Sequence, residues 1–219
     1  MGHEVEKLVA EGYDRVADAY EALEGDREWP RMRWLRDLLR RLPPCARVLD
    51  LGCGAGVPAT RAIVGHGHAA LGVDVSRDQI ERARKNVPEA DFVVASALDL
   101  ELPPGSLDAI VAFYVIEHMP RETHRDLLAS MYGWLRENGW LLLTFETGDE
   151  PGIVGNWLGA PMYFSHFDAE TNEKIVREAG FNVVRAAEES QSEGGQTVPY
   201  LWVLARKPEE GRGRGTHLP

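Results

Sequence analysis

The 219-residue sequence contains few cysteines, few lysines and no long apolar run. Its two cysteines, Cys45 and Cys53, are too few for a disulfide framework or a four-ligand metal site. No apolar run approaches the roughly 20 residues that a membrane-spanning helix requires. The acidic start, residues 1–6, lacks the basic and apolar regions of a signal peptide. We therefore expect a cytoplasmic protein that holds no metal and makes no membrane contact.

Positive charge is also scarce, since the net charge is -11. A nucleic-acid binder needs a basic surface to neutralise phosphates. This acidic composition therefore argues against a nucleic-acid partner. One stretch departs from the trend, with seven arginines between Arg27 and Arg47. These arginines indicate either a solvated helix face or a surface for an anionic substrate or partner.

What the sequence does contain is an alternation of apolar runs with helical patterns from Val48 onward. This alternation is typical of an α/β fold, a three-layer Rossmann-like sheet that is mostly parallel and has helices on both faces. The last two apolar runs are joined without a helix, so we expect the last strand to be antiparallel. The predicted strands are residues 47–51, 69–73, 91–95, 107–114, 140–145, 181–187 and 200–206.

Two predicted helices precede the first strand, over residues 4–24 with a break near Gly12, and over residues 26–42 with Asp26 as cap. We therefore divide the chain into an N-terminal helical cover (1–44), a cofactor-binding core (45–207) and a disordered tail (208–219). Within the core, residues 148–167 are rich in glycine, proline and aromatics. They predict an irregular insert, and a segment of that kind is usually functional or mobile.

The first strand leads into a glycine turn with glycines at 52, 54 and 56. Val57 stands where a dinucleotide fingerprint has its third glycine, so the turn does not match a pyrophosphate site. Asp50 lies just before the turn, where a carboxylate would attract an ammonium group. Asp74 ends the second strand, where an acid can bind both hydroxyls of a ribose. The pattern predicts a cofactor with a ribose, a cationic end and no phosphate.

Four segments and one aspartate together resemble the class I S-adenosylmethionine-dependent methyltransferases. Residues 48–56 read Val-Leu-Asp-Leu-Gly-Cys-Gly-Ala-Gly and are similar to the first motif of that family, and Asp74 matches its ribose-binding acid. Residues 106–111, 116–120 and 135–145 are similar to its later core motifs. The resemblance implies a seven-stranded sheet with an antiparallel last strand. It also implies S-adenosylmethionine as cofactor and S-adenosylhomocysteine as product.

One position departs from the family pattern. Many members carry an aspartate after the third strand that contacts the adenine amino group, and Ser96 stands there in this chain. Ser96 alone, backbone groups of Ala97 and Leu98, or the Asp99 carboxylate remain the alternatives for adenine. The cofactor-binding residues that we predict are Tyr13, Tyr20, Asp50, Gly52, Cys53, Gly54, Asp74, Val75, Gln79, Ser96, Ala97, Leu98 and Phe113.

Two histidines are candidate catalytic bases. His118 follows the fourth strand, at the sheet edge where ligands bind, and it either contacts the substrate or is structural. His166 lies in the aromatic insert, which either forms a substrate lid or simply packs.

The resemblance implies methyl transfer by in-line displacement to an oxygen, nitrogen or carbon atom of a small molecule, driven mainly by positioning and desolvation. The alternatives are a methyltransferase that acts on protein or tRNA, and a non-catalytic S-adenosylmethionine-binding protein. We expect a monomer or homodimer.

Overall fold

The computed structural model describes residues 2–24, 30–193 and 196–209. Seven strands of these residues form one sheet in the order β3-β2-β1-β4-β5-β9-β8. A second sheet contains only β6 and β7. The strands are β1 Arg47–Leu51, β2 Ala69–Asp74, β3 Asp91–Val94, β4 Leu107–Ala112, β5 Leu135–Glu146, β6 Glu150–Trp157, β7 Ala160–His166, β8 Asn182–Glu193 and β9 Gln196–Arg206.

The direction of the strands confirms the predicted fold class. Strands β1 to β5 pair in parallel, whereas β9 pairs antiparallel with both β5 and β8. The sheet order reverses between β1 and β4, because the chain runs outward to β3 and then returns to the other side of β1. In open α/β sheets, ligands bind at such a switch point, beyond the carboxyl ends of the strands.

Buried side chains alternate between the two faces of the central strands. Leu49 and Ile110 pack on one face, and Val48 and Val111 pack on the other. This period of two follows from the pleat of a strand, and burial on both faces explains why these strands are mostly apolar. The helices that cover the sheet and its ligand-binding edge are α1 Gly2–Glu24, α2 Pro30–Leu39, α3 Ala59–Gly65, α4 Arg77–Asn86, α5 His124–Trp134 and α6 Ala169–Glu178, with 3₁₀ turns at Ile116–His118 and Arg121–Thr123.

The predicted break at Gly12 is wrong, because α1 runs through it without interruption. Gly12 is buried against β7, where a Cβ atom would lie 2.9 Å from both Met162 Cε and the Pro161 carbonyl oxygen. The glycine therefore allows a close approach between helix and strand. The proposed cap at Asp26 lies outside the described residues.

The predicted irregular insert at 148–167 is also wrong, since most of it forms the hairpin β6–β7. Glycines at 152 and 155 interrupt its pattern, and Ile153 and Val154 are adjacent and both exposed. A strand that buries neither face regularly shows no alternation of apolar and polar residues, so the sequence pattern did not predict it.

Other boundaries shift as well. Strand β5 begins at Leu135 and passes through Asn138 in the left-handed conformation, where its register with β4 changes. Strands β8 and β9 extend beyond their predicted ends, so they form a longer hairpin. Residues 210–219 of the predicted disordered tail lie outside the described residues. None of the helices among the described residues is long and apolar enough to cross a membrane.

Candidate active site

The glycine turn after β1 lies against β2 through its backbone. The N–H groups of Gly52 and Cys53 both donate to the carbonyl oxygen of Val73, at 2.8 and 3.1 Å. Gly52 has φ +68°, and a Cβ atom there would lie 2.6 Å from Cβ of Val115. Only glycine fits this position without strain or overlap. The turn therefore keeps its backbone open at the ligand edge of the sheet.

Asp74 is fixed by the same turn. Its Oδ2 accepts a hydrogen bond from Gly54 N at 2.8 Å, and its Oδ1 accepts one from Ser76 N at 2.9 Å. Burial raises the pKa of the Asp74 carboxyl, and these two bonds oppose that rise. Each oxygen retains a further acceptor site, so the carboxylate can also bind two ligand hydroxyl groups.

A cavity lies between this sheet edge and α1. Helix α1 contributes Glu6, Val9, Tyr13 and Tyr20, whose separations of three, four and seven residues place them on one helix face. The other lining residues come from the carboxyl ends of β1 and β2 and from the loops after β1, β2, β3 and β4. They are Leu51, Gly52, Gly54, Val73, Asp74, Val75, Ala95, Ser96, Ala97, Phe113, Tyr114, Val115, His118 and Met119.

The cavity brings together most of the predicted cofactor residues. Those that line it are Tyr13, Tyr20, Gly52, Gly54, Asp74, Val75, Ser96, Ala97 and Phe113. Cys53, Gln79 and Leu98 are not among its lining residues. Cys53 and Gln79 are buried behind the turn, and burial raises the pKa of the Cys53 thiol well above its usual value.

Asp50 also lies away from the cavity. Its side chain is only 2% exposed, and its Oδ2 accepts a hydrogen bond from Thr60 Oγ1 on α3 at 2.5 Å. Burial raises the pKa of Asp50 to about 6, opposed by the Thr60 bond and by the charge of Arg31. In this structure, the carboxylate that we expected to face an ammonium group is turned toward α3.

His118 is held between the hairpin and α1. Its Nδ1 lies 2.9 Å from the carbonyl oxygen of Tyr163, and its Nε2 lies 2.8 Å from the hydroxyl of Tyr13. A carbonyl oxygen can only accept, so Nδ1 carries the proton. Burial lowers the pKa of His118 to about 4, so the ring is neutral at pH 7 and Nε2 accepts from Tyr13. In this tautomer the basic lone pair is on Nε2, where the Tyr13 hydroxyl engages it.

His166 lies in a different cleft, of about 890 Å³, under the β6–β7 hairpin. Its Nε2 is 3.6 Å from Glu146 Oε1, and its Nδ1 is 3.4 Å from the backbone N of Glu150. Burial lowers the pKa of the His166 ring. The two candidate bases are therefore in separate cavities, and only His118 shares a wall with Asp74.

Aromatic rings of α1 and of the β6–β7 hairpin pack together over the cavity. The ring of Trp157, at the end of β6, lies 5.5 Å from the rings of both Tyr13 and Tyr20. The ring of Phe164 on β7 lies 5.0 Å from that of His118. Rings at such distances bury large apolar surfaces and exclude water. The hairpin and α1 thus form one cover.

The structure adds site residues that the sequence did not predict. Glu6 and Val9 line the cavity from α1, and Val115 and Met119 line it from the loop after β4. The helical spacing of Glu6, Val9 and Tyr13 was available in the sequence, but nothing there showed which face of α1 turns toward the sheet.

The arginine-rich stretch does not form one basic surface in the described residues. Arg31 is only 5% exposed, and its guanidinium lies 5.4 Å from the Tyr114 ring centroid. Arg33 pairs with Glu189 at 2.5 Å, and Arg41 pairs with Asp37 at 3.1 Å. The solvated-face interpretation therefore fits Arg33 and Arg41, and neither interpretation fits Arg31. Arg27 lies outside the described residues.

Comparisons with known proteins agree with this geometry. A family model described as a methyltransferase domain matches residues 48–139. The 27-O-demethylrifamycin SV methyltransferase of Amycolatopsis mediterranei is 30% identical over 197 residues, which are 80% of this chain and 66% of that protein. The chain thus spans about two thirds of that relative's length.

Solved structures share the fold. A 1,6-didemethyltoxoflavin-N1-methyltransferase from Burkholderia thailandensis, with bound 1,6-didemethyltoxoflavin and S-adenosylhomocysteine, is 20% identical and has a TM-score of 0.74, over 95% of this chain and 91% of that one. The [4+2]-cyclase SpnF is 19% identical with a TM-score of 0.73, over 91% and 94% of the two chains.

The residues present fit the cofactor of this family. Asp74 offers acceptors for two ribose hydroxyls, glycines leave room for close approach, and apolar groups such as Val75 and Ala97 can pack on a purine. Together with the matches, these features place the chain in the class I S-adenosylmethionine-dependent methyltransferases, a family of enzymes, and make S-adenosylmethionine its cofactor.

Proposed function

We propose that the chain transfers a methyl group from S-adenosylmethionine to an oxygen, nitrogen or carbon atom of a small molecule. The observation that carries this proposal is the shared cavity lining, which brings the Asp74 carboxylate and the His118 ring, whose Nε2 accepts from Tyr13, to one cavity. One group suits the ribose of the donor, and the other suits a proton on the acceptor. Residues 1–44 would serve as the cover and residues 45–207 as the cofactor-binding core.

The enclosure of the site supports a small acceptor. Helix α1 packs over one side and the β6–β7 hairpin over the other, with Tyr13 and Trp157 in contact between them. The described lining residues include Glu6 and Asp74 but no lysine or arginine. A protein or tRNA substrate would need an open approach, and tRNA would also need basic groups for its phosphates.

When bound, S-adenosylmethionine would supply a methyl group on a positively charged sulfur, and attack of the acceptor atom on the methyl carbon would release S-adenosylhomocysteine as the leaving group. The chain contributes positioning, which can lower a barrier by several kcal/mol. Its aromatic cover excludes water. His118, fixed in one tautomer by the Tyr163 carbonyl, can take the acceptor's proton on Nε2 once the Tyr13 hydroxyl gives way. Base assistance of this kind contributes about 10²-fold or more to the rate.

The names of the relatives indicate which acceptor atoms to test first. The rifamycin enzyme is named for an O-methylation and the toxoflavin enzyme for an N-methylation, both of small molecules. The [4+2]-cyclase shows that this fold also carries another reaction. The activity of this chain must therefore be measured directly.

The test has two stages. Addition of S-adenosylhomocysteine should raise the melting temperature, because a ligand that binds only the folded state stabilises it. The protein is then incubated with S-adenosylmethionine labelled in its methyl group and a panel of phenols, carboxylic acids, amines and heterocycles. We expect mass spectrometry to find one or more labelled small molecules.

His118→Gln is the matched variant for this assay. It should lower kcat for the acceptor found by about 10²-fold or more while S-adenosylhomocysteine affinity changes by less than about threefold. Light scattering in the same preparation should report a monomer or homodimer. Label that enters only added tRNA or protein, with no labelled small molecule, would contradict the proposal.

A further inference from the structure

Ser96 and Glu6 meet in the wall of the cofactor cavity, although 90 residues separate them. The Ser96 hydroxyl donates to Glu6 Oε1, and Ser96 Oγ accepts from Leu98 N at 3.0 Å. The Glu6 side chain is only 15% exposed. A carboxylate brought this far into a cavity by a neighbouring hydroxyl is a candidate ligand group.

The sheet order determines which part of the cofactor lies there. Asp74 ends β2, with β3 on one side and β1 and β4 on the other. His118 follows β4, so the methyl-bearing sulfur belongs on that side of a ribose held by Asp74. The nucleobase must then extend to the opposite side, over Ala95 and Ser96 after β3. Glu6 lines that same end of the cavity.

We propose that Glu6 on α1 accepts a hydrogen bond from the exocyclic amino group of the cofactor's adenine. The inference rests on the proposed function, because it presumes S-adenosylmethionine in this cavity. Ser96 is a positioning residue, since its proton engages one carboxylate oxygen of Glu6 and leaves the other for the ligand. The cover helix therefore selects the base.

Between the Glu6 carboxylate and the adenine amino group, the hydrogen bond can form in one direction only. An ionised carboxylate accepts hydrogen bonds and cannot donate them, whereas the adenine amino group donates. Hypoxanthine carries a carbonyl oxygen at the same position and would face Glu6 with a second acceptor. His3 Nδ1 lies 3.4 Å from Glu6 Oε2, but the His3 side chain is 85% exposed and can turn away into solvent.

The experiment compares S-adenosylhomocysteine with S-inosylhomocysteine by calorimetry. The second ligand has a carbonyl oxygen in place of the amino group and a proton on the adjacent ring nitrogen. The wild type should prefer the adenine ligand by about tenfold or more, the value of one charge-assisted hydrogen bond. In Glu6→Gln, the amide oxygen can accept from Ser96 and the amide nitrogen can donate to the hypoxanthine carbonyl. We expect the preference to fall by at least about tenfold or to invert.

Glu4→Gln is the control, because Glu4 lies on the same helix, is exposed, and loses the same charge. It should keep the wild-type preference. The ratio of two affinities in one variant is insensitive to the fraction of protein that is folded. If Glu6→Gln weakens both ligands equally, or matches Glu4→Gln, the assignment of Glu6 is overturned. If the wild type binds neither ligand, the proposed function itself fails, which is a distinct result.

Discussion

The glycine turn and the cover helix are the two halves of the cavity, and they are built in different ways. The turn binds Asp74 and β2 through backbone groups within about one supersecondary unit of chain. The cover contacts the site through side chains, such as Tyr13 with His118, which are 105 residues apart. The contacts around Asp74, where we propose that the ribose binds, are therefore encoded locally, whereas the proposed base and acceptor ends depend on tertiary packing.

Acidification should have the largest effect, because a buried histidine lies against the cover and a buried aspartate lies beside the turn. Burial lowers the pKa of His118, which the cover contacts, to about 4 and raises the pKa of Asp50 to about 6. As pH falls below 6.5, the unfolded state protonates His118 first, so folding is disfavoured. As pH falls through 6, the folded state protonates Asp50 first, so folding is favoured.

Each effect amounts to about 2 to 3 kcal/mol in the free energy of unfolding between pH 7 and pH 4.5. Asp50→Asn should therefore make the stability fall more steeply with acid than in the wild type, and His118→Asn should make it fall less steeply. Denaturant unfolding at pH 7, 5.5 and 4.5 measures these slopes. Parallel pH profiles for all three proteins would contradict the account.

Loss of the Asp74 carboxylate should affect the cofactor next most strongly. Asp74→Ala removes two charge-assisted acceptors for the ribose, so the affinity for S-adenosylhomocysteine should fall by about 10- to 100-fold. Asp78→Ala, an exposed acid in the first turn of α4, is the control and should bind as the wild type does. Calorimetry decides the point, and an unchanged affinity in Asp74→Ala would mean that another group holds the ribose.

Substitutions of two helix glycines should have the smallest effects, and they test how closely α1 packs on β7. Gly12→Ala would place a Cβ atom 2.9 Å from the Pro161 carbonyl oxygen, so we expect a net loss of about 1 kcal/mol in stability. Gly133→Ala in α5 meets no atom within 4 Å, so the better helix propensity of alanine should stabilise by about 0.5 to 1 kcal/mol. Denaturation at pH 7 compares the two variants, and stabilisation by both would show that α1 does not press on β7.

These examples also show how far sequence reasoning reaches. Buried parallel strands are mostly apolar, so the central strands could be predicted from the sequence. The glycine turn and Asp74 each follow or end a predicted strand, so both could be placed at the same edge of the sheet. Sequence patterns predict a structural feature where the residues that form it are close in sequence.

The errors occur where distant packing overrides a local signal. Gly12 looks like a helix break in the sequence, but it permits contact with a strand 150 residues later. Strand β6 of the hairpin is mostly exposed and shows no alternation. The side chain of Asp50 points to the face of the sheet that α3 covers, where Thr60 donates to it. Glu6 contacts Ser96 only because α1 packs over the cavity. No local spacing encodes such contacts.

The central claim is that cofactor binding uses the turn and the cover helix together. Amide hydrogen exchange, measured by mass spectrometry with and without S-adenosylhomocysteine, tests this claim most directly. The account predicts that ligand slows exchange in residues 51–54 and also in residues 6–20 of α1. Slower exchange at 51–54 with no change at 6–20 would contradict it, because the helix would then cover the cavity without contacting what binds there.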